Sequence, residues 1–434
     1  MNVKEAITHI VIAVLIGFIS TALSGILKLI LLPYVTYLLI SKRVEFFPAL
    51  LIILSYGTIL TIAAGVICIP IVINNRHKLM SKRFRQFYYL ILAMLPIFIV
   101  ITLLRVLEGY DLTSALVMND YYIAFWFLLY GFINFEQFKM QNVSPIVFIG
   151  LLLALSRPLI VDILPFSTLI RNSNYFLIFG ILLLVNNLVY KKIPTKFSLY
   201  ALIILTLLSY GLGFKFTFWF GVLIGLLSLR NWQKHDIAPK VSKYSGDRMF
   251  SRFLFFFPFF FLITTLWLTP NYSQKYQDVK VDYSFNKNLI DQILFKTFAD
   301  RGLIWTGVFN GIISNTELLP PIKEWKIKYF DANEAEHEVN FEAHNLILGL
   351  VRTNGYLCGL IMIYIYLDTM KSLHRTRPYL VGFQRILATS LLGLGIAVFI
   401  TGQYTLQINS SFFFMFSTGG LIGYSESIAS RNSK

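Results

Sequence analysis

Apolar segments of near-bilayer length recur along almost the whole chain, and this feature restricts the fold more than any motif does. Such runs lie near 7–40, 47–73, 88–104, 120–134, 143–156, 174–190, 197–212, 214–229, 251–269, 349–368, 386–402 and 405–424. A helix needs about 20 apolar residues to cross a bilayer, fewer when it is short or tilted. In lipid every backbone amide must be satisfied internally, which leaves helices and closed barrels. Runs this long and continuous are not the alternating pattern of barrel strands. The expected fold is therefore an all-α polytopic membrane protein with about 12 transmembrane helices. Charge agrees, since only 14% of residues are charged against about 25% in soluble domains. The run 7–40 is open to two readings: one long tilted span broken near Pro33, or a span plus a re-entrant piece. A hairpin there would put the N-terminus outside.

The sequence carries a formal charge of +16, unevenly placed. The stretches 74–87, 191–196, 230–252 and 371–378 are rich in Lys and Arg, and with twelve spans all four fall on one side. The alternate stretches carry only Lys42 and Arg43, Arg105, Arg157 and Arg171, and Lys215. The positive-inside rule makes the richer side cytoplasmic. The basic excess is thereby assigned to anchoring loops and not to nucleic-acid binding. The stretch 270–343 holds half of the chain's 22 acids and lies outside. The expected organisation is membrane helices over 1–269, one large external loop over 270–343, and three more helices with a cytoplasmic tail over 344–434. Cys68 and Cys358 both fall in apolar segments and are read neither as a disulfide nor as metal ligands. The first apolar run has no small-residue cleavage site and reads as an anchor.

The external side concentrates the residues with chemistry. His344 stands at the end of the polar stretch, just before the apolar run that re-enters the membrane. It reads either as an interfacial cap or as a general base poised at the boundary. Gly355 is eleven residues on, nearly the same face of a continuous helix, and glycine there admits a close neighbour. Arg352 lies about 80° round that helix. Arg301 and Trp305, four apart, share a helical face. Arginine's planar fork suits phosphate, and Trp305 would sit at headgroup level or stack on a sugar ring. The ordinary alternative is an interfacial Trp beside an Arg paired with Asp300. Lys215 and Arg157 lie at outer span ends, where a cation either snorkels or binds an anion. His337 reads as a surface histidine in an acidic patch. No Walker A, HExxH or CxxC pattern is present.

These residues resemble the O-antigen ligase and O-antigen polymerase superfamily of bacterial inner-membrane proteins, which is GT-C-like in architecture. The family pattern of His, then Asn, Ser or Gln, nine residues, then Gly reads here as His344-Asn345, nine residues, Gly355. Arg301 and Trp305 resemble its Arg-x-x-x-Trp. Asn172-Ser173-Asn174 resembles its Asn-rich entry to the sixth span. Family members also have about twelve spans and one large outside loop before the last three. Two departures stand out: Cys358 occupies a position the family gives to Gly, Thr or Tyr, and Ser209-Tyr210-Gly211 stands where Ser-Arg-Gly is usual.

The resemblance implies a metal-independent, inverting glycosyl transfer without a cofactor, at a site facing the periplasm. The donor would be an oligosaccharide on undecaprenyl diphosphate. His344 would take the proton of an acceptor sugar hydroxyl, a role suited to imidazole's ordinary pKa of about 6.5. Arg301, Arg352, Lys215 and Arg157 would stabilise the leaving diphosphate. Expected partners are the lipid-linked oligosaccharide, membrane lipids, a chain-length regulator and a flippase. A polymerase acting on another lipid-linked repeat is favoured over a ligase acting on lipid A-core, because the His pattern is imperfect and the Ser-Arg-Gly arginine is missing. A protein O-glycosyltransferase is a third acceptor class. A transporter or flippase for lipid-linked sugars is the alternative of a different kind. It would call for ionisable residues deep in the spans and pseudo-symmetric halves, and Asp120 and Arg385, the nearest candidates, sit near span ends.

Overall fold

The computed structural model describes residues 3–22, 25–41, 49–50, 53–54, 58–79, 81–134, 182–184, 200, 256, 259–271, 294, 298, 301–323, 325–330, 336–339, 345–401 and 408–432. The described residues are mostly helical. In chain order they form α1 (Val3–Ala22), a 3-10 segment (Gly25–Leu31), α2 (Leu32–Ile40), α3 (Thr58–Asn74), α4 (Lys82–Leu107), α5 (Leu112–Val117) and α6 (Asp120–Ile133). Then follow α7 (Leu303–Asn315), β1 (Ile327–Phe330), β2 (Glu336–Val339), α8 (Leu346–Thr376), α9 (Phe383–Thr401) and α10 (Ile408–Asn432). The expected spans 143–156, 174–190, 197–212 and 214–229 lie outside the described residues, apart from 182–184 and 200.

Two described helices, α4 and α8, are long and apolar enough to cross a membrane. α4 exposes Tyr89, Ile99, Val100 and Leu103 by half or more of their surface. An apolar stripe of that extent on a water-soluble protein would be a liability, and facing lipid it is ordinary.

The centre of the described bundle is α6, buried from Tyr121 to Ile133 without interruption. It packs along α10, and at two glycines the backbones meet directly. A methyl group at Gly131 would strike the Phe416 backbone, and one at Gly419 would strike that of Leu128. Small residues that let backbones approach are the usual solution where lipid removes the hydrophobic drive between helices. Hydrogen bonds reinforce the packing: Tyr122 Oη donates to Ile91 O (3.0 Å) on α4, and Tyr130 Oη to Leu39 O (2.5 Å) on α2.

The run 7–40 is not one broken span. His9 Nδ1 and Tyr34 Oη lie 2.7 Å apart and their rings stack. In a continuous helix 25 residues would separate them by roughly 37 Å, so the chain turns back between α1 and α2 as a hairpin.

The two ends of the α4–α8 pair differ in chemistry. At one end Arg83 Nε meets Asp368 Oδ2 at 2.8 Å, and Arg83 Nη1 donates to Ser372 Oγ at 2.6 Å. The basic stretches 74–87 and 371–378 therefore share that end. At the other end Lys323 pairs with Glu108 at 2.6 Å, which lifts the Lys323 ammonium above its ordinary pKa. There Arg105 also reaches the 316–325 segment.

Candidate functional site

α8 supplies the frame of the site, and it is two helices. Gly355 has φ 72 and ψ 174, a backbone region that only glycine enters without strain. The arm 346–354 ends there and the arm 356–376 begins. The arms fold against each other: a Cβ on Gly359 would lie 2.8 Å from Leu350 O, although nine residues of unbroken helix would separate the two by about 13.5 Å. The expected span 349–368 is thus replaced by a short leading helix and a second arm of about 31 Å. The continuous helix expected over 344–355 is shortened to 346–354, because Asn345 is extended at its start and Gly355 leaves helical backbone at its end.

The break is closed by the 317–319 segment before the β-ribbon. Tyr356 N donates to Glu317 O and Leu357 N to Leu318 O, both at 3.0 Å. A side chain at Gly355 would strike the Leu319 carbonyl. The close neighbour expected of this glycine is therefore loop backbone, not another helix or a lipid chain. The start of the leading arm is capped by Asn345, whose Oδ1 accepts from Ile347 N (3.0 Å) and Leu348 N (3.2 Å). His344, the residue before that cap in the sequence, lies outside the described residues, as do Lys215 and Arg157.

Arg352 is on the leading arm, two turns past the cap, and is buried at 7% exposure. Its Nη2 donates to Trp325 O at 2.9 Å, and its guanidinium lies 5.0 Å from the centre of the Trp325 ring, a cation–π arrangement. The six-membered ring of Trp325 meets α7 at Gly311, where a Cβ would collide with the indole. Tyr356 Oη donates to Ile312 O at 2.9 Å. Trp325 is thus clamped between α7 and the vertex of α8. β1 pairs antiparallel with β2 through Ile327↔Val339, and Lys326 and Lys328 meet Glu338 and Glu336 at 3.1 Å across the ribbon.

Arg301 is half-buried in a π-type turn that leads into α7. Trp305 is buried at 2% exposure, with the Phe261 ring edge-on at 6.1 Å, so its face is taken up by packing. The ties between α7 and α8 are at the Ile312 end of α7, roughly 16 Å along the helix from Arg301.

Arg105 belongs to this site and was visible in the sequence only as one of the sparse outer cations. It is 1% exposed. Nε and Nη2 both donate to Pro321 O (3.2 and 2.7 Å), and Nη1 donates to Asn119 Oδ1 (2.8 Å). Asn119 is held in turn by Thr102 Oγ1 at 2.6 Å. Arg105 and Arg352 line one small cleft with Met118, Pro321, Trp325 and Thr353. The signal that could have found Arg105 is its place at the last turn of a long apolar run, where a buried cation needs a purpose. Among the described residues no three His, Cys, Asp or Glu side chains are grouped to hold a metal ion. Cys68 and Cys358 are buried free thiols. No family model, curated protein or solved structure matches this chain.

Proposed function

We propose that this chain is a multi-pass glycosyltransferase of the bacterial inner membrane. In this reading it polymerises surface polysaccharide by moving an oligosaccharide from undecaprenyl diphosphate to a sugar hydroxyl of another lipid-linked repeat. His344 takes the hydroxyl proton, and the hydroxyl attacks the anomeric carbon with inversion. The diphosphate leaves, its charge balanced by Arg301 and Arg352 with Lys215 and Arg157. The observation that carries the reading is the site around α8. The residue after His344 caps a short buried helix, and two turns on that helix brings Arg352 to a cleft it shares with Arg105. A fixed arginine on a short rigid element, with the proposed base one residue before its cap in the sequence, supports a metal-independent transfer. Clamping by Trp325 leaves Arg352 little freedom, and preorganised charge costs no reorganisation when the leaving group departs.

The test is a His344→Ala chain expressed in a strain lacking its own copy. Polymer is expected to vanish while the protein still inserts and accumulates. Wild-type polymer length would remove His344 as the base. The deletion strain identifies the acceptor. A polymerase leaves lipid A-core capped with a single repeat, whereas a ligase leaves undecaprenyl-linked polymer.

A further inference from the structure

We propose that the basic end of the α4–α8 pair is a binding site for an anionic phospholipid, with Lys82, Lys371 and Arg375 at its phosphate and Tyr89 and Tyr364 at its glycerol level. The site rests on the multi-pass reading and not on the transfer chemistry. Each helix carries the same ladder. On α4, Lys82 is followed seven residues later by Tyr89, 63% exposed, and then by the exposed Val100 and Leu103. On α8 the order is reversed: Leu357 and Leu360, both exposed, then Tyr364, 48% exposed, and Lys371 seven residues on. Seven residues of helix are about 10.5 Å and return to within about 20° of the same face. Val100 lies roughly 16 Å beyond Tyr89, the depth of one leaflet. Exposed tyrosine marks the membrane interface, so the cations stand at the headgroup layer, where such side chains snorkel.

The two ladders face one way. Arg83 meets Asp368, and Phe87 meets Tyr364 edge-on at 6.2 Å, so the helices run antiparallel. On helical wheels set by those contacts, Lys82, Tyr89, Tyr364, Lys371 and Arg375 turn to the same side of the pair, with roughly 8–10 Å between the axes. No carboxylate among the described residues offsets these cations. Asp368 pairs with Arg83, and Glu426 lies beside Arg83 and Ser81, while Lys82, Lys371 and Arg375 form no ion pair among the described residues. Cations above exposed tyrosines and an apolar stripe match a molecule with an anionic head on acyl chains. A soluble acidic protein would meet the cations and leave the stripe uncovered.

The experiment uses the full chain in detergent at fixed ionic strength, since surface electrostatics are screened by salt. Phosphatidylglycerol and phosphatidylcholine of the same chain length are titrated while bound lipid is counted by native mass spectrometry and the unfolding midpoint is followed. Phosphatidylglycerol is expected to bind more tightly and to raise the midpoint. A cation near an anionic lipid surface is worth about fivefold, so Lys82→Gln, Lys371→Gln and Arg375→Gln combined should cost at least about tenfold in phosphatidylglycerol affinity. Phosphatidylcholine binding should not change. Lys326→Gln with Lys328→Gln, on the β-ribbon, is the control and should alter neither lipid. Equal affinity for the two lipids, or an equal loss in the control, overturns the site. Displacement of phosphatidylglycerol by equimolar glycerol phosphate reassigns the cations to a free phosphate, and displacement by polyglutamate reassigns them to an acidic protein. Either result overturns the lipid assignment. The multi-pass reading fails separately, by release of the chain from membranes in sodium carbonate. A chain that stays in the membrane but shows no lipid preference defeats the site alone.

Discussion

Gly355→Ala tests how the vertex of α8 is built. At φ 72 and ψ 174 an alanine bears a backbone cost of about 1–3 kcal/mol. Its methyl would also lie 2.8 Å from Leu318 O and closer still to the Leu319 carbonyl, so the 317–319 segment must move. That movement breaks the bonds from Tyr356 N and Leu357 N, each worth about 0.5–1.5 kcal/mol net. The expected loss is therefore roughly 2–6 kcal/mol. Straightening the helix offers no escape, because it would pull Gly359 away from Leu350. Gly109 supplies the control. Its φ is also positive, at 96, but nothing lies within 4 Å of a Cβ built there, so Gly109→Ala bears the backbone cost alone. Unfolding of both variants in the same detergent isolates the contribution of the crossing segment, expected at about 1–3 kcal/mol. Hydrogen exchange should quicken at the amides of 356 and 357 in Gly355→Ala only. Equal destabilisation of the two variants, with unchanged exchange, would show that the 317–319 segment does not hold the vertex.

Further outcomes are expected around the same site. Asn345→Ala removes the cap of the leading arm and should cost about 1–2 kcal/mol in an unfolding titration, with Asn345→Ser recovering most of it. Arg301→Ala should abolish polymer nearly as fully as loss of His344, and Arg301→Lys should restore only part, because an ammonium lacks the two-pronged fork; unimpaired polymer in Arg301→Ala removes it from the site. Transfer by the purified protein should survive EDTA, and a strict divalent-metal requirement would contradict charge stabilisation by arginine.

Helices whose signal is local were legible in the sequence. The run 88–104 became α4 and 120–134 became α6, because a long apolar stretch needs no information from elsewhere to be recognised. What depends on distant residues was not. Gly355 was marked as a close-approach position, but its neighbour, the Leu318–Leu319 backbone, is far upstream in a segment without apolar periodicity. The fold-back of the two α8 arms followed the same non-local cause. The reversal between α1 and α2 was among the readings that the run 7–40 left open, and the contact of His9 with Tyr34 decides it. Trp325 lacked any signal, since an aromatic residue in a polar stretch is usually interfacial or loose. Arg105 was legible as a topological marker, and only its burial and its bonds to Pro321 O show it to hold the segment around Pro321.

The burial of α6 has a consequence for biogenesis. A helix of 14 residues is about 21 Å long, short of a hydrocarbon core of about 30 Å. Its surroundings come largely from α10, made some 280 residues later, and the two meet backbone to backbone at Gly131 and Gly419. During synthesis α6 must therefore wait for a partner that the ribosome has yet to produce, shielded by earlier helices or by an insertase. A chain truncated before α10 would leave that helix unsheltered and should be cleared by membrane proteases, even though every residue of the α8 site had already been made.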